Sequence, residues 1–200
     1  MTSENSKVRL VFATNNPNKI REIGTLIPPH FEILSLEDIG CKEDIPETAD
    51  TIEGNAFQKA NYIKENYGYD CFADDTGLEV EVLDGAPGVH SARYAGEERN
   101  NEANIDRLLK ELKDKNNRDA RFKTVIALIL EGKKYSFTGI CSGTIISERR
   151  GKEGFGYDPV FQPEGYSRTF AEMSLNEKSK LSHRGRATRQ LVDFLSQKTS

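Results

Sequence analysis

Residues 121–130, RFKTVIALIL, and 135–146, YSFTGICSGTII, are two long strand-like runs separated only by Glu131-Gly132-Lys133-Lys134. A connection that short joins antiparallel neighbours, because parallel neighbours need a crossover of a dozen or more residues. The hairpin commits the chain to a sheet with antiparallel pairing. Elsewhere strand-like and helix-like patterns alternate. Residues 7–13, KVRLVFA, and 31–35, FEILS, read as strands. Between them Asn16-Pro17 opens a helix, with Asn at the N-cap, Pro at the first helical position, and Ile20, Ile23 and Ile27 on one face. A second helix covers 53–67, with Phe57, Ala60, Ile63 and Tyr67 as its stripe.

Cys71-Phe72-Ala73 reads as a short strand ending in Asp74-Asp75-Thr76-Gly77, and LEVEVL, 78–83, as another. Gly85-Ala86-Pro87-Gly88 is a turn, and Ile105, Leu108, Leu109 and Leu112 mark a helix over about 100–114. A glycine-rich loop at 151–158, a short strand at 159–161 and a helix from about 184 to 197, carrying Ala187, Leu191 and Leu195, complete the chain. The class is α/β, with a mixed sheet and helices on its faces. No repeat or linker divides the 200 residues, so 1–200 reads as one domain, with flexible tails at about 1–6 and 197–200.

Several function classes drop out. The longest unbroken apolar run, 125–130, is far short of a membrane span, and the polar start MTSENSK has no signal-peptide core. The expectation is a cytoplasmic protein with no membrane partner. Cys41, Cys71 and Cys141 are widely spaced with no C-x-x-C, so free, mostly buried thiols are expected rather than disulfides or a zinc site. A net charge of -4 argues against a dedicated nucleic-acid binder. The charge is uneven: seven acids face one base across 37–53, and five bases face no acid across 178–189. An acidic segment can hold a cation and a basic one phosphate, although either alone reads equally well as a solvated face.

Four segments could carry chemistry. Thr14-Asn15-Asn16-Pro17-Asn18-Lys19 lies at a strand-to-helix corner, where unpaired N–H groups, the helix dipole and the Lys19 charge suit a phosphate chain. It is not a Walker A loop, and an ordinary capped helix start would look the same. Asp74-Asp75-Thr76-Gly77 offers a carboxylate for Mg²⁺ or for deprotonating water, or else a turn. Adjacent strand residues point to opposite faces, so one of the two carboxylates is expected to face the site. In Gly154-Phe155-Gly156-Tyr157-Asp158, glycines allow close backbone approach, two rings offer faces for a base, and Asp158 offers an acceptor; a mobile loop is the alternative. Lys178 with Ser182-His183-Arg184 combines cations with a helix start that Ser182 can cap. Together these favour a Mg²⁺-dependent enzyme acting on a nucleoside phosphate.

TNNPNK (14–19), ADDTGLEV (73–80), GAPG-x-x-SARY (85–94), GFGYDP (154–159), EKS (177–179) and SHRG (182–185), in this order, resemble the inosine triphosphate pyrophosphatase family. The resemblance runs from about residue 8 to 195. It implies a long mixed sheet and two lobes with the nucleotide in the cleft between them. It implies Mg²⁺-dependent hydrolysis of ITP, dITP and XTP to the monophosphate and pyrophosphate, by a homodimer. By position, Thr14, Asn15, Asn16, Pro17, Asn18 and Lys19 would hold the triphosphate, and Asp75 would be the acidic catalytic residue that serves metal and water. Thr76 would contact the nucleotide, Glu47 would join Asp75 on the metal, and Lys59 would reach the phosphates. Phe155, Gly156, Tyr157 and Asp158 would form the base pocket, with Phe155 stacking, and Lys178, His183 and Arg184 would complete it. Tyr157 stands where some members carry Trp. Three other readings are a related phosphohydrolase on other triphosphates, a nucleotide-binding module without turnover, and a nucleic-acid binder using the 178–189 run. The last fits the charge least.

Overall fold

The computed structural model describes residues 7–16, 19, 20, 23 and 26–198. Pro17 and Asn18 lie outside the described residues, as do 1–6, 199 and 200 of the two tails. Among the described residues seven strands form one sheet: β1 (Val8–Phe12), β2 (Phe31–Leu34), β3 (Cys71–Val80), β4 (Pro87–Gly88), β5 (Asp119–Leu130), β6 (Lys133–Ile145) and β7 (Phe161–Pro163). The order is β2-β1-β3-β5-β6-β7, with β4 on β3. The sheet is mixed: β1 runs parallel to β2 and β3, whereas β4 is antiparallel to β3 and β7 to β6. The helices with bounds among the described residues are α1 (Ile52–Tyr67), α2 (Asn101–Glu111), α3 (Leu175–Leu181) and α4 (His183–Gln197). The expected α/β class and mixed sheet are what the chain forms.

The hairpin turns more tightly than the sequence implies. Only Glu131 and Gly132 separate β5 from β6, with φ of 51° and 73°. Two successive positive φ values match the twist of the strands they join. The larger difference is in β3. Asp74-Asp75-Thr76-Gly77 is not the end of a short strand but the middle of a ten-residue one. Pairing holds it at both ends, Phe72 against Phe12 and Leu78 against Gly88, so the backbone stays extended through the acidic pair. The second expected strand stops at Val80, and Glu81–Leu83 is a 3-10 turn closed by Asp84 at φ 53°.

The chain divides into two compact units. The first comprises 1–75, 125–137 and 187–200. Its core joins Leu10, Phe12, Ile23, Phe72, Ile126 and Leu128 to Ala187, Leu191 and Leu195 of α4, the stripe read from the sequence. Lys19, Ile20 and Ile23 are helical, and Lys19 N–H donates to Asn16 Oδ1 at 3.4 Å, the expected cap. The second comprises 76–124 and 138–186, with Leu78, Val80, Ile105, Leu108, Phe122, Phe161 and Phe170 at its centre. There one of the two glycines of β6 is explained: a Cβ on Gly143 would strike Gln162 O and the Phe161 ring of β7. All three cysteines are free and buried. Among the described residues no helix is long and apolar enough to cross a membrane.

Candidate active site

The first unit gathers the anionic and cationic groups. Residues 41–49, without helix or strand, carry Glu47, and α1 opens after them, capped by Thr51, whose Oγ1 accepts from Gly54 N–H at 2.9 Å. Lys59 sits two turns into α1 and is buried. Its ammonium donates to Glu47 Oε1 and, at 2.8 Å, to the Asp74 carbonyl, and lies 4.0 Å from Asp75 Oδ1. Burial by itself would push the Lys59 pKa down. The surrounding carboxylates of Asp74, Asp75 and Glu47 outweigh burial and hold the pKa above its ordinary value. Glu47 and Asp75 therefore converge on one cation.

Lys19 is held differently. Its ammonium donates to both carboxylate oxygens of Asp74, at 2.9 and 2.7 Å, and Asp74 is 2% exposed. The adjacent acids split as strand alternation requires: Asp74 takes Lys19, and Asp75 lies with Lys59 and Glu47. Thr14 Oγ1 accepts from Asn16 N–H at 3.2 Å and shapes the corner, while Asn15 is exposed.

The two carboxylates suit Mg²⁺. Their oxygens are hard donors, and they already meet at a positive charge. Among the described residues no cluster of three or more His, Cys, Asp or Glu side chains is arranged around a metal position. Mg²⁺ usually takes one or two carboxylates and completes its shell with water and phosphate oxygens.

The second unit gathers rings and cations. Phe155 is 51% exposed. The ammonium of Lys178 and the guanidinium of Arg184 lie 5.2 and 5.6 Å from its ring centre. Asp158 is buried, and its Oδ2 accepts from Phe155 N–H at 2.9 Å and from the Lys178 ammonium. Gly154 has φ 76°, and a Cβ there would run into that oxygen. Asp158 thus fixes both the loop and Lys178, and that carboxylate oxygen is already occupied. Arg184 donates to Thr76 Oγ1 at 3.5 Å, and Thr76 Oγ1 lies 2.7 Å from Thr124 Oγ1. Ser182 Oγ accepts from Gly185 N–H at 3.1 Å, so it caps α4 as expected.

Two of the rings expected at the base pocket, Tyr157 and His183, are buried. Tyr157 is buried in the core and its hydroxyl donates to the Ser91 carbonyl at 2.8 Å. Desolvation raises its pKa, as for any phenol buried so deeply. His183 is buried and stacks on Phe122, with centroids 4.6 Å apart and planes at 17°. Of the two loop rings Phe155 is the exposed one, and Gly156 has φ 60°.

Sequence reasoning passed over Thr124 and helix α3. The helix carries a capping box: Ser174 Oγ accepts from Glu177 N–H at 3.3 Å, and Glu177 Oε2 from Ser174 N–H at 3.0 Å. The signal was present as S-x-x-E in Ser174-Leu175-Asn176-Glu177.

Comparison with known proteins shows the family. The model of the Ham1 family matches residues 10–194. A dITP/XTP pyrophosphatase of Flavobacterium psychrophilum is 65% identical over 187 residues, 94% of this chain and 98% of that protein. The dITP/XTP pyrophosphatase of Christiangramia forsetii is 63% identical over 94% of this chain and all of its own length. Among solved structures, the Ham1 protein of Staphylococcus aureus superposes with a TM-score of 0.91 at 36% identity, over 96% of this chain and all of that one. The nucleoside-triphosphatase, dITP/XTP pyrophosphatase, of Mycobacterium abscessus gives 0.80 at 39% identity, over 92% of this chain and 98% of its own. With a family model over residues 10–194 and relatives aligned along nearly its full length, the chain is a member of the Ham1 family.

Proposed function

We propose that this chain is a nucleoside triphosphate pyrophosphatase that hydrolyses ITP, dITP and XTP to the nucleoside monophosphate and pyrophosphate, with Mg²⁺. The observation that carries the reading is the convergence of Glu47 and Asp75 on the Lys59 ammonium. A module that only binds nucleotide has no use for a carboxylate pair poised in this way. The relatives' activity on dITP and XTP supports the substrate class.

A triphosphate carries the same sign of charge as the protein, so its capture has to be local. Lys19 and Lys59 supply the positive charge, and the corner at Thr14, Asn15 and Asn16 supplies N–H donors. Mg²⁺ held by Glu47 and Asp75 would neutralise phosphate charge and lower the pKa of a bound water. Asp75 orients the attacking water and takes its proton, and in-line attack at the α-phosphorus expels pyrophosphate. Phe155 stacks on the base, and Asp158 keeps Phe155 and Lys178 in register. Hypoxanthine and xanthine present a 6-oxo acceptor where adenine presents a donor. Lys178, Arg184 and the first N–H groups of α4 are the donors placed to read it, and adenine would leave them unpaired. The enzyme acts in the cytoplasm as a homodimer, as the family resemblance implies.

Incubation with ITP and Mg²⁺, followed by product identification, tests this reading. IMP plus pyrophosphate, with ATP largely spared, is expected. IDP plus phosphate would overturn it, and so would tight binding without turnover.

A further inference from the structure

Residues 41–49 have no hydrogen-bonded ladder of their own, yet they carry Glu47. What holds them is one polar face of α1. Asn55, Gln58, Lys59 and Tyr62 are spaced i, i+3, i+4 and i+7, which places them on one side of the helix. Each reaches the segment. Asn55 Oδ1 accepts from Ala49 N–H at 2.9 Å. Gln58 Oε1 accepts from Thr48 N–H at 2.8 Å, and Gln58 Nε2 donates to Thr48 Oγ1 at 2.9 Å. Lys59 takes Glu47, and the Tyr62 hydroxyl donates to Glu43 Oε1 at 2.9 Å. Tyr67, one turn further on, adds a second hydroxyl on the same Glu43 oxygen at 2.7 Å.

The Gln58 contact differs from the others. It closes a two-bond ring with both the backbone and the side chain of Thr48, the residue next to Glu47. A single hydrogen bond leaves the peptide free to pivot, whereas two to one residue fix its orientation and hence the direction in which the Glu47 side chain leaves the backbone. Gln58 is only half-buried, so it is not part of the packed core.

We propose that Gln58 is a positioning residue: by clamping Thr48 it aims the Glu47 carboxylate and so sets the affinity of the site for its divalent cation. This inference rests on Glu47 being a metal-holding residue. Removing the outer partners of metal ligands typically weakens metal affinity by about 10- to 100-fold. An irregular segment should be sensitive, because without the clamp its ordering opposes every binding event.

The test uses the full-length protein, in excess over inosine 5′-α,β-imidotriphosphate, with Mn²⁺ titrated by water-proton relaxation enhancement. Gln58→Met and Thr48→Val are each expected to weaken Mn²⁺ by about tenfold. Binding of the analogue without metal, and the melting temperature, should stay close to wild type. Glu47→Gln is the reference and should weaken Mn²⁺ most. Unchanged Mn²⁺ affinity in Gln58→Met and Thr48→Val, with Glu47→Gln weakened, would overturn the positioning role alone. Unchanged affinity in Glu47→Gln would overturn the assignment of Glu47 itself and the inference with it. Parallel losses of metal binding, analogue binding and melting temperature in Gln58→Met would reduce Gln58 to a structural prop and also overturn the proposal.

Discussion

The Lys19 ammonium is gripped by both oxygens of Asp74, at 2.9 and 2.7 Å, and Asp74 is 2% exposed while the Lys19 side chain is 18% exposed. A carboxylate so deeply buried and so fully engaged is a fixture for Lys19. The water-handling role proposed above is therefore assigned to Asp75 and not to Asp74. Breaking such a pair from one side leaves an uncompensated charge, at a cost of about 3–5 kcal/mol. For a chain of this length that lowers the melting temperature by roughly 10 °C. Asp74→Ala and Lys19→Ala should each show a large loss, and the double variant should lose less than their sum by about 1 kcal/mol or more. Strict additivity in thermal melts would contradict the pairing.

Asp75→Asn keeps the shape of the side chain and removes its charge. Loss of a charge-handling group at a reacting centre typically reduces turnover by about 100- to 1,000-fold. A loss in that range or larger is expected in ITP turnover, with a far-UV spectrum like wild type. Near-normal turnover, or an unfolded spectrum, would remove Asp75 from the chemistry.

Glu43 gives a pH signature. The Tyr67 hydroxyl, then its own amide and the Tyr62 hydroxyl, hold its pKa down to about 2. A depressed carboxylate pKa contributes stability above the unfolded value, near 4.3, and that contribution disappears as pH falls towards about 2. Tyr67→Phe should therefore melt below wild type at pH 6, and the gap should close between about pH 4.3 and 2. A gap independent of pH would show that Tyr67 acts only by packing.

Gly154→Ala places a methyl against Asp158 Oδ2 at a position with φ 76°. The strain should displace Asp158 from Phe155 N–H and Lys178, loosening the ring and cation together. The KM for ITP should rise by about tenfold or more, since small misplacements of positioning groups carry penalties of that order. Unchanged KM in the folded variant would mean that Asp158 does not set the loop.

Arg184→Ala should erode discrimination rather than turnover alone. A site that loses a donor to the 6-oxo group loses part of its advantage for ITP over ATP, by about tenfold for one hydrogen bond of about 1.5 kcal/mol. The ratio of kcat/KM values for the two triphosphates measures it. An unchanged ratio would refute the assignment.

Much of this was written in local sequence. Helix α4, its Ser182 cap and its Ala187, Leu191, Leu195 stripe follow from period and capping chemistry alone. The hairpin followed from a short connection between two long runs. The acidic pair did not. Asp74-Asp75-Thr76-Gly77 has turn composition, and pairing with β1 and β5, distant in sequence, and with the nearby β4 keeps it extended. The inward turns of Tyr157 and His183 were equally hidden, because partners such as Ser91 and Phe122 lie tens of residues away. On α1 the apolar stripe concealed a second, polar one at the same helical spacing, and that stripe holds the segment that bears Glu47.

The direct test of the central claim is a single turnover of ITP with Mg²⁺ in ¹⁸O-labelled water, with the products resolved by mass spectrometry. Attack of an Asp75-activated water at the α-phosphorus places the label in IMP and leaves pyrophosphate unlabelled. Label in pyrophosphate would mean attack at the β-phosphorus, and the roles assigned to Asp75, Glu47 and Lys59 would be contradicted.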